Sequence, residues 1–185
     1  PSIIAIAPWS SERGALHNKI AESINENQKN TLGNHKITDY IQGLLEAFVF
    51  YEAKRYDMKG KALLKTNGKF YIVDLGIRNH LLGYTPYNRG FSYENLVYFE
   101  LLRRGYDVSI GKIGTLEVDF RAVKNNEITY FQVTESLIND STRNREIHPF
   151  QCIDDHYDKI ILSLDKGYSN INGIKVINLI DWLLQ

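Results

Sequence analysis

Between residues 92 and 134 the hydrophobic pattern switches from the period of a helix to that of strands, and this switch restricts the fold more than any other feature of the chain. From 92 to 104, Leu96, Val97 and Leu101 fall on a helical stripe, with Phe99 less regular, and Gly105 stops the run. Residues 106–110, 117–123 and 128–134 then read as strands, with Asn125-Asn126 turning the second into the third. Downstream, 143–153 reads as a helix despite Pro149, 159–164 and 174–177 as apolar strands, and 180–184 as a closing helix. That order predicts an α/β domain of about a hundred residues with a mixed central sheet.

Residues 84–90, in which Pro86 and Gly90 bracket a segment without periodicity, mark the best boundary, dividing the chain into 1–83 and 84–185. In the first part, Leu16, Ile20 and Ile24 line one face of a helix over 12–27. A second helix follows Gly33-Asn34, with Ile37, Tyr40, Ile41, Leu44, Leu45 and Phe48 on its period and Asn34 or Thr38 as caps. Asn67-Gly68 between the runs 62–66 and 69–73 is a strong hairpin signal. Helix, turn, helix and basic hairpin is the order of a winged-helix region. A short helical stretch from Asp74 to Leu82 precedes Gly83.

The chemistry sits on the switch region. Glu94 falls in the first turns of its helix, and strand alternation puts Glu117 and Asp119 on one face. Gln132 lies one strand over, at a spacing that suits a hairpin pair with Asp119. Together Glu94, Asp119 and Gln132 would form an all-oxygen site for a hard cation, Mg²⁺ or Mn²⁺, next to a scissile phosphate. Taken singly, each has a blander reading: a helix-start Glu complements the dipole, and a strand Asp is often a satisfied edge residue.

Gly90-x-x-x-Glu94, the run Leu101-Leu102-Arg103-Arg104-Gly105-Tyr106-Asp107-Val108, Glu117-Val118-Asp119-Phe120 and Gln132-Val133 resemble the C-terminal domain of a group of bacterial and archaeal AAA-type ATPases, itself similar to the PD-(D/E)XK nuclease fold. The resemblance extends upstream through residues 56–61, 64–66 and 71–79 and covers the chain from about Leu16 onward. It implies a winged-helix-like N-terminal region followed by a nuclease-like α/β domain, with Glu94, Asp119 and Gln132 as the catalytic and metal-binding positions. Thr134 stands where an active nuclease of this fold carries Lys. Gln brings no charge, and Thr cannot stabilise a developing anion as an ammonium does. Lys112, Arg143 and Arg145 are the cations that could replace the lysine. The expectation is a DNA-associated protein whose nuclease-like domain has kept its shape and lost its reaction. The alternatives are an active Mg²⁺- or Mn²⁺-dependent endonuclease and a protein-interaction module docking on an ATPase.

No Gly-x-x-x-x-Gly-Lys-Ser/Thr occurs, so no ATP site is expected in this chain. Lys54, Arg55, Lys59, Lys61, Lys65 and Lys69, interleaved with Tyr51 and Tyr56, are expected to form a basic wing for DNA, with His35, Lys36 and Thr38 opening the recognition helix. The bland reading is a solvated hairpin whose lysines protect an edge. With 22 basic and 22 acidic residues the chain has no global field, so any nucleic-acid contact must be local. Arg143, Arg145 and Glu146 read as a solvated helix face. The five histidines show no ligand spacing, and the single Cys152 reads as a small buried hydrophobe in a reducing, cytoplasmic setting. No apolar run approaches the roughly 20 residues of a membrane span. The start at Pro1 rather than Met is the mark expected of a trimmed chain or part of a longer one.

Overall fold

The computed structural model describes residues 34–65, 68–82 and 89–185. The helix expected over 12–27 and the turn residue Asn67 lie outside them. The chain divides into two compact units, one comprising Pro1–Lys54 and Leu64–Pro86, the other Arg55–Leu63 and Tyr87–Gln185. Among the described residues no helix is long and apolar enough to cross a membrane.

In the first unit, α1 (Asn34–Glu46) buries Ile41 and leaves His35, Lys36 and Thr38 exposed. Strand β1 (Phe50–Ala53) pairs antiparallel with β4 (Lys69–Ile72), where Phe50, Phe70, Tyr71 and Ile72 are buried, and α2 (Leu75–Leu82) follows. The expected hairpin between 62–66 and 69–73 does not form. Ala62 and Leu63 make up β3, which pairs with β2 (Arg55–Asp57), while β4 pairs with β1 instead. The physical reason is burial: Phe70 and Ile72 belong with Phe50, whereas Arg55 and Tyr56 find their partners within the second unit, to which they belong. Gly68 serves a close approach, since a Cβ there would lie 2.5 Å from the Ala53 carbonyl.

The second unit is α/β, built on an eight-stranded mixed sheet whose strands lie in the order 62–63, 55–57, 107–113, 116–124, 127–134, 158–163, 174–178 and 170–171. After α3 (Arg89–Arg103), β5 (Asp107–Ile113), β6 (Leu116–Lys124) and β7 (Glu127–Thr134) form an antiparallel meander. Asn125 and Asn126, both at positive φ, turn β6 into β7, as short polar side chains allow. Helix α4 (Asp140–Gln151) then carries the chain to β8 (Asp158–Ser163), parallel to β7. Strand β9 (Asn170–Ile171) and β10 (Ile174–Asn178) lead to α5 (Leu179–Leu183), capped by the Asn178 side chain. Phe120 and Phe131 are cross-strand partners packed on Tyr98 and Trp182 of α3 and α5; Tyr130 and Ile161 pack with Leu137, Ile147 and Phe150 around α4.

Glu100 fastens α3 to α5. It accepts hydrogen bonds from Arg103 and Arg104, and Arg104 stacks 4.0 Å from the Trp182 ring centroid. The Arg103 bond, aided by Arg104 and opposed by burial, holds the Glu100 carboxyl at about 2. A depressed carboxyl stabilises the fold above its ordinary value near 4.5 and loses that contribution as pH falls toward 2. Glu100→Gln should therefore flatten the pH dependence of Tm between those limits and lower stability at neutral pH by about 1 kcal/mol, a modest figure because Arg103 is largely solvated. Thermal melts from pH 2 to 7 test this, and an unchanged acid limb would contradict it.

Candidate functional site

The register places Phe120 opposite Phe131, and the backbone ladder between β6 and β7 ends there. Beyond that pair, side chains make the next bonds. The Asp119 N–H donates to Gln132 Oε1 at 3.0 Å, and the Val133 N–H donates to Asp119 Oδ2 at 2.9 Å. Gln132 Nε2 in turn donates to Glu146 Oε2 at 2.9 Å, and Glu146 Oε1 accepts from Arg145 Nε and Nη2 at 3.1 and 2.7 Å. The amide orientation of Gln132 follows from its neighbours, because the reverse would set an NH₂ against an N–H and a carbonyl against a carboxylate.

Asp119 and Gln132 are thus neighbours, as their spacing suggests. Glu94, on the second turn of α3, lines the same cavity of about 410 Å³, together with Glu117, Arg145 and Glu146. Glu146 corrects the solvated-face expectation for α4: it is 5% exposed and belongs to the site. It lies at i, with Pro149, Phe150 and Ile153 at i+3, i+4 and i+7, so the apolar stripe that buries it is present in the sequence.

Glu117 points into a second tie. Arg55 of β2 reaches across β5 and donates through Nε and Nη2 to Glu117 Oε2 at 3.2 and 3.0 Å. The Arg55 side chain is 6% exposed and that of Glu117 23%. Arg55, expected on a DNA-facing wing, is therefore a buried structural cation.

The acceptor oxygens of this network are largely engaged within the protein. Among the described residues no three His, Cys, Asp or Glu side chains are placed to share a divalent ion. The Gln132 carbonyl already accepts from Asp119, Asp119 Oδ2 from Val133, and both oxygens of Glu146 are engaged. Thr134 is buried with its hydroxyl on the Ser136 carbonyl. Of the three cations that could replace the missing lysine, Lys112 Nζ approaches the Thr115 carbonyl, and Arg143 binds Asp140 and the Leu137 carbonyl. Arg145 alone of the three lines the cavity, and its Nε and Nη2 donate to Glu146.

The other basic residues are distributed between the two units. Lys54, Lys65 and Lys69 belong to the first, with Lys54 and Lys65 exposed and Lys69 half-buried. Lys59 and Lys61 are exposed in the turn between β2 and β3. Cys152 also departs from expectation, standing exposed at the C-cap of α4 where the helix turns away from the core.

No family model matches the chain, and no solved structure matches it. Over 154 residues, 82% of the chain, the sequence is 45% identical to an uncharacterized protein of Haemophilus influenzae (strain ATCC 51907 / DSM 11121 / KW20 / Rd). The chain spans 38% of the length of that curated relative.

Proposed function

We propose that this chain is a DNA-associated protein with a winged-helix-like first unit and a PD-(D/E)XK-like second unit that has kept the scaffold of a nuclease and lost the reaction. It acts in the cytoplasm beside an AAA-type ATPase module. The observation that carries the reading is the state of the acids: Glu117 is neutralised by Arg55, Glu146 by Arg145, and Asp119 and Gln132 are consumed in bridging β6 to β7. Polar groups that would bind a cation in an active nuclease serve here as cross-links. Support for DNA contact comes from the exposed Lys54, Lys59, Lys61 and Lys65 and from the exposed start of α1. The greater length of the H. influenzae relative leaves room for a further module, in keeping with an ATPase partner.

One observation favours a second reading. Glu146 brings to the cavity the charge that Gln132 lacks, which would suit an endonuclease using Glu94, Asp119 and Gln132 with Mg²⁺ or Mn²⁺. Plasmid incubation with Mn²⁺ separates the two. The degenerate reading expects no nicking by the wild type and no difference on Asp119→Ala; nicking that the substitution abolishes would overturn it. Duplex gel shifts across a salt series should show binding that weakens when Lys59, Lys61 and Lys65 are changed to Gln, with the salt slope falling by up to about 0.9 for every phosphate that is no longer neutralised. An absent shift would instead favour a module that docks on an ATPase without touching DNA.

A further inference from the structure

A second cavity, also of about 410 Å³, is lined by residues 152–155 after α4 and by residues of β2, β5, β6 and β7. We infer that it binds a single nucleotide unit, a planar heteroaromatic ring carrying a phosphate, supplied as a free nucleotide or as an unpaired residue of a single strand. The cavity shares none of its lining residues with the acidic pocket, so the nuclease reading is not needed for this; it does share Lys59 and Lys61 with the proposed duplex contact, from which titration with a mononucleotide is a separate measurement.

Its size is within the range of roughly 300–1,000 Å³ typical of small-molecule sites. Three tyrosines and an arginine are among the residues of its wall. The Arg121 guanidinium lies 3.9 Å from the centroid of the Tyr56 ring, and Tyr157, 43% exposed, packs edge-on to Tyr130 with centroids 6.4 Å apart. Aromatic rings and a guanidinium plane are surfaces on which any base can stack, an interaction worth about 1–3 kcal/mol per base.

The lip of the cavity supplies the phosphate site. Asp57 Oδ1 accepts from the Lys59 N–H at 3.0 Å, and a Cβ on Gly60 would fall 2.6 Å from Asp57 Oδ2. Lys61 adopts a positive φ of 51°. The Lys59-Gly60-Lys61 turn is therefore tight, and it brings both lysines to the lining of the cavity. Two carboxylates share the lining with them. Asp155 accepts from the Tyr130 hydroxyl at 2.7 Å and from the Tyr157 N–H at 3.2 Å, which fixes its orientation; Asp154 lies beside it. Burial, reinforced by the Asp155 hydrogen bond, pushes the Tyr130 phenol well above its usual value and keeps it a donor. Lys59, Lys61 and Arg121 are balanced in number by Asp57, Asp154 and Asp155, so a phosphate would be held by the local pair Lys59 and Lys61 and not by a net field. The acids can meanwhile accept from base N–H or sugar hydroxyl groups.

Isothermal titration of the intact chain with nucleoside 5′-monophosphates, with a 5′-phosphorylated oligothymidylate and with inorganic phosphate tests the assignment. Saturable monophosphate binding is expected with a Kd on the order of 0.1 mM. Tyr157→Ala and the pair Lys59→Gln/Lys61→Gln, all at exposed positions, should each weaken it by about tenfold while leaving the melting curve unchanged. If the oligonucleotide binds tenfold or more tighter than the monophosphate, the source is a single strand; equal affinities identify a free nucleotide. No saturable binding of either, binding indifferent to these substitutions, or inorganic phosphate binding as tightly as the monophosphate would overturn the proposal.

Discussion

Glu117→Ala is expected to destabilise the second unit by about 3 kcal/mol, the lower end of the usual 3–5 kcal/mol for removing one partner of a buried ion pair. The lower end applies because the Glu117 side chain is 23% exposed, so some of its charge is already solvated. Its partner is not: Arg55 is 5% exposed, and losing the carboxylate takes one counter-charge from a guanidinium that cannot deprotonate. In a chain of this length that corresponds to a fall in Tm of roughly 6–12 °C. Urea unfolding with an unchanged m-value would confirm that the folded state bears the loss. Arg55→Met combined with Glu117→Leu should recover most of the stability, because a well-packed apolar pair avoids desolvating two ions. Additive losses in that double variant would show that the two residues act separately and would refute the pairing.

Gln132→Glu should convert a satisfied bridge into a repulsive one. The amide donates to Glu146 at 2.9 Å, and replacing it with a carboxyl sets two acids at hydrogen-bond distance in a buried site. Such a pair shares a proton, so its apparent pKa is raised above the unfolded value of about 4.3. A raised acid is stabilising below its unfolded value and loses that contribution as pH climbs through its folded one. The variant should thus approach wild-type stability near pH 4 and fall short by about 2 kcal/mol at pH 8, the free-energy equivalent of an apparent pKa raised to roughly 6. Mn²⁺ is expected to raise the Tm of this variant at pH 7.5 and to leave the wild type unmoved, because the substitution supplies the charge that the wild-type network neutralises internally. A wild type equally stabilised by Mn²⁺ would mean that its carboxylates already hold the ion, against the degenerate reading.

What the sequence makes legible is local. The helix at 89–103, the Asn125-Asn126 turn and the side-by-side placement of Asp119 and Gln132 all follow from period and turn chemistry within a few residues. The pairing of β2 with β5 is not legible, because Arg55 and Ile110 are joined by no turn and parallel strands leave no signature between them. With that pairing hidden, Arg55 reads as part of a DNA-binding wing. Glu146 escapes for a different reason: two arginines nearby, Arg143 and Arg145, give the helix a solvated look that its i, i+3, i+4, i+7 stripe contradicts. A charged residue on an otherwise apolar stripe needs a buried partner, and Gln132 is that partner.

The excursion of residues 55–63 out of the β1–β4 ladder also has a meaning in time. Ribosomes release the chain from its N-terminus, so Asp57 emerges about fifty residues before Asp107, the first residue of the strand that β2 must join. At about 5–20 residues per second the antiparallel pair β2–β3 waits several seconds with one edge unpaired. The β1–β4 ladder can close meanwhile, fixing both ends of the waiting segment before its partner exists. Biosynthesis of this protein therefore passes through an interval in which the nascent chain presents an open strand edge, and the two units, though compact separately, finish folding in an order that the chain's threading imposes.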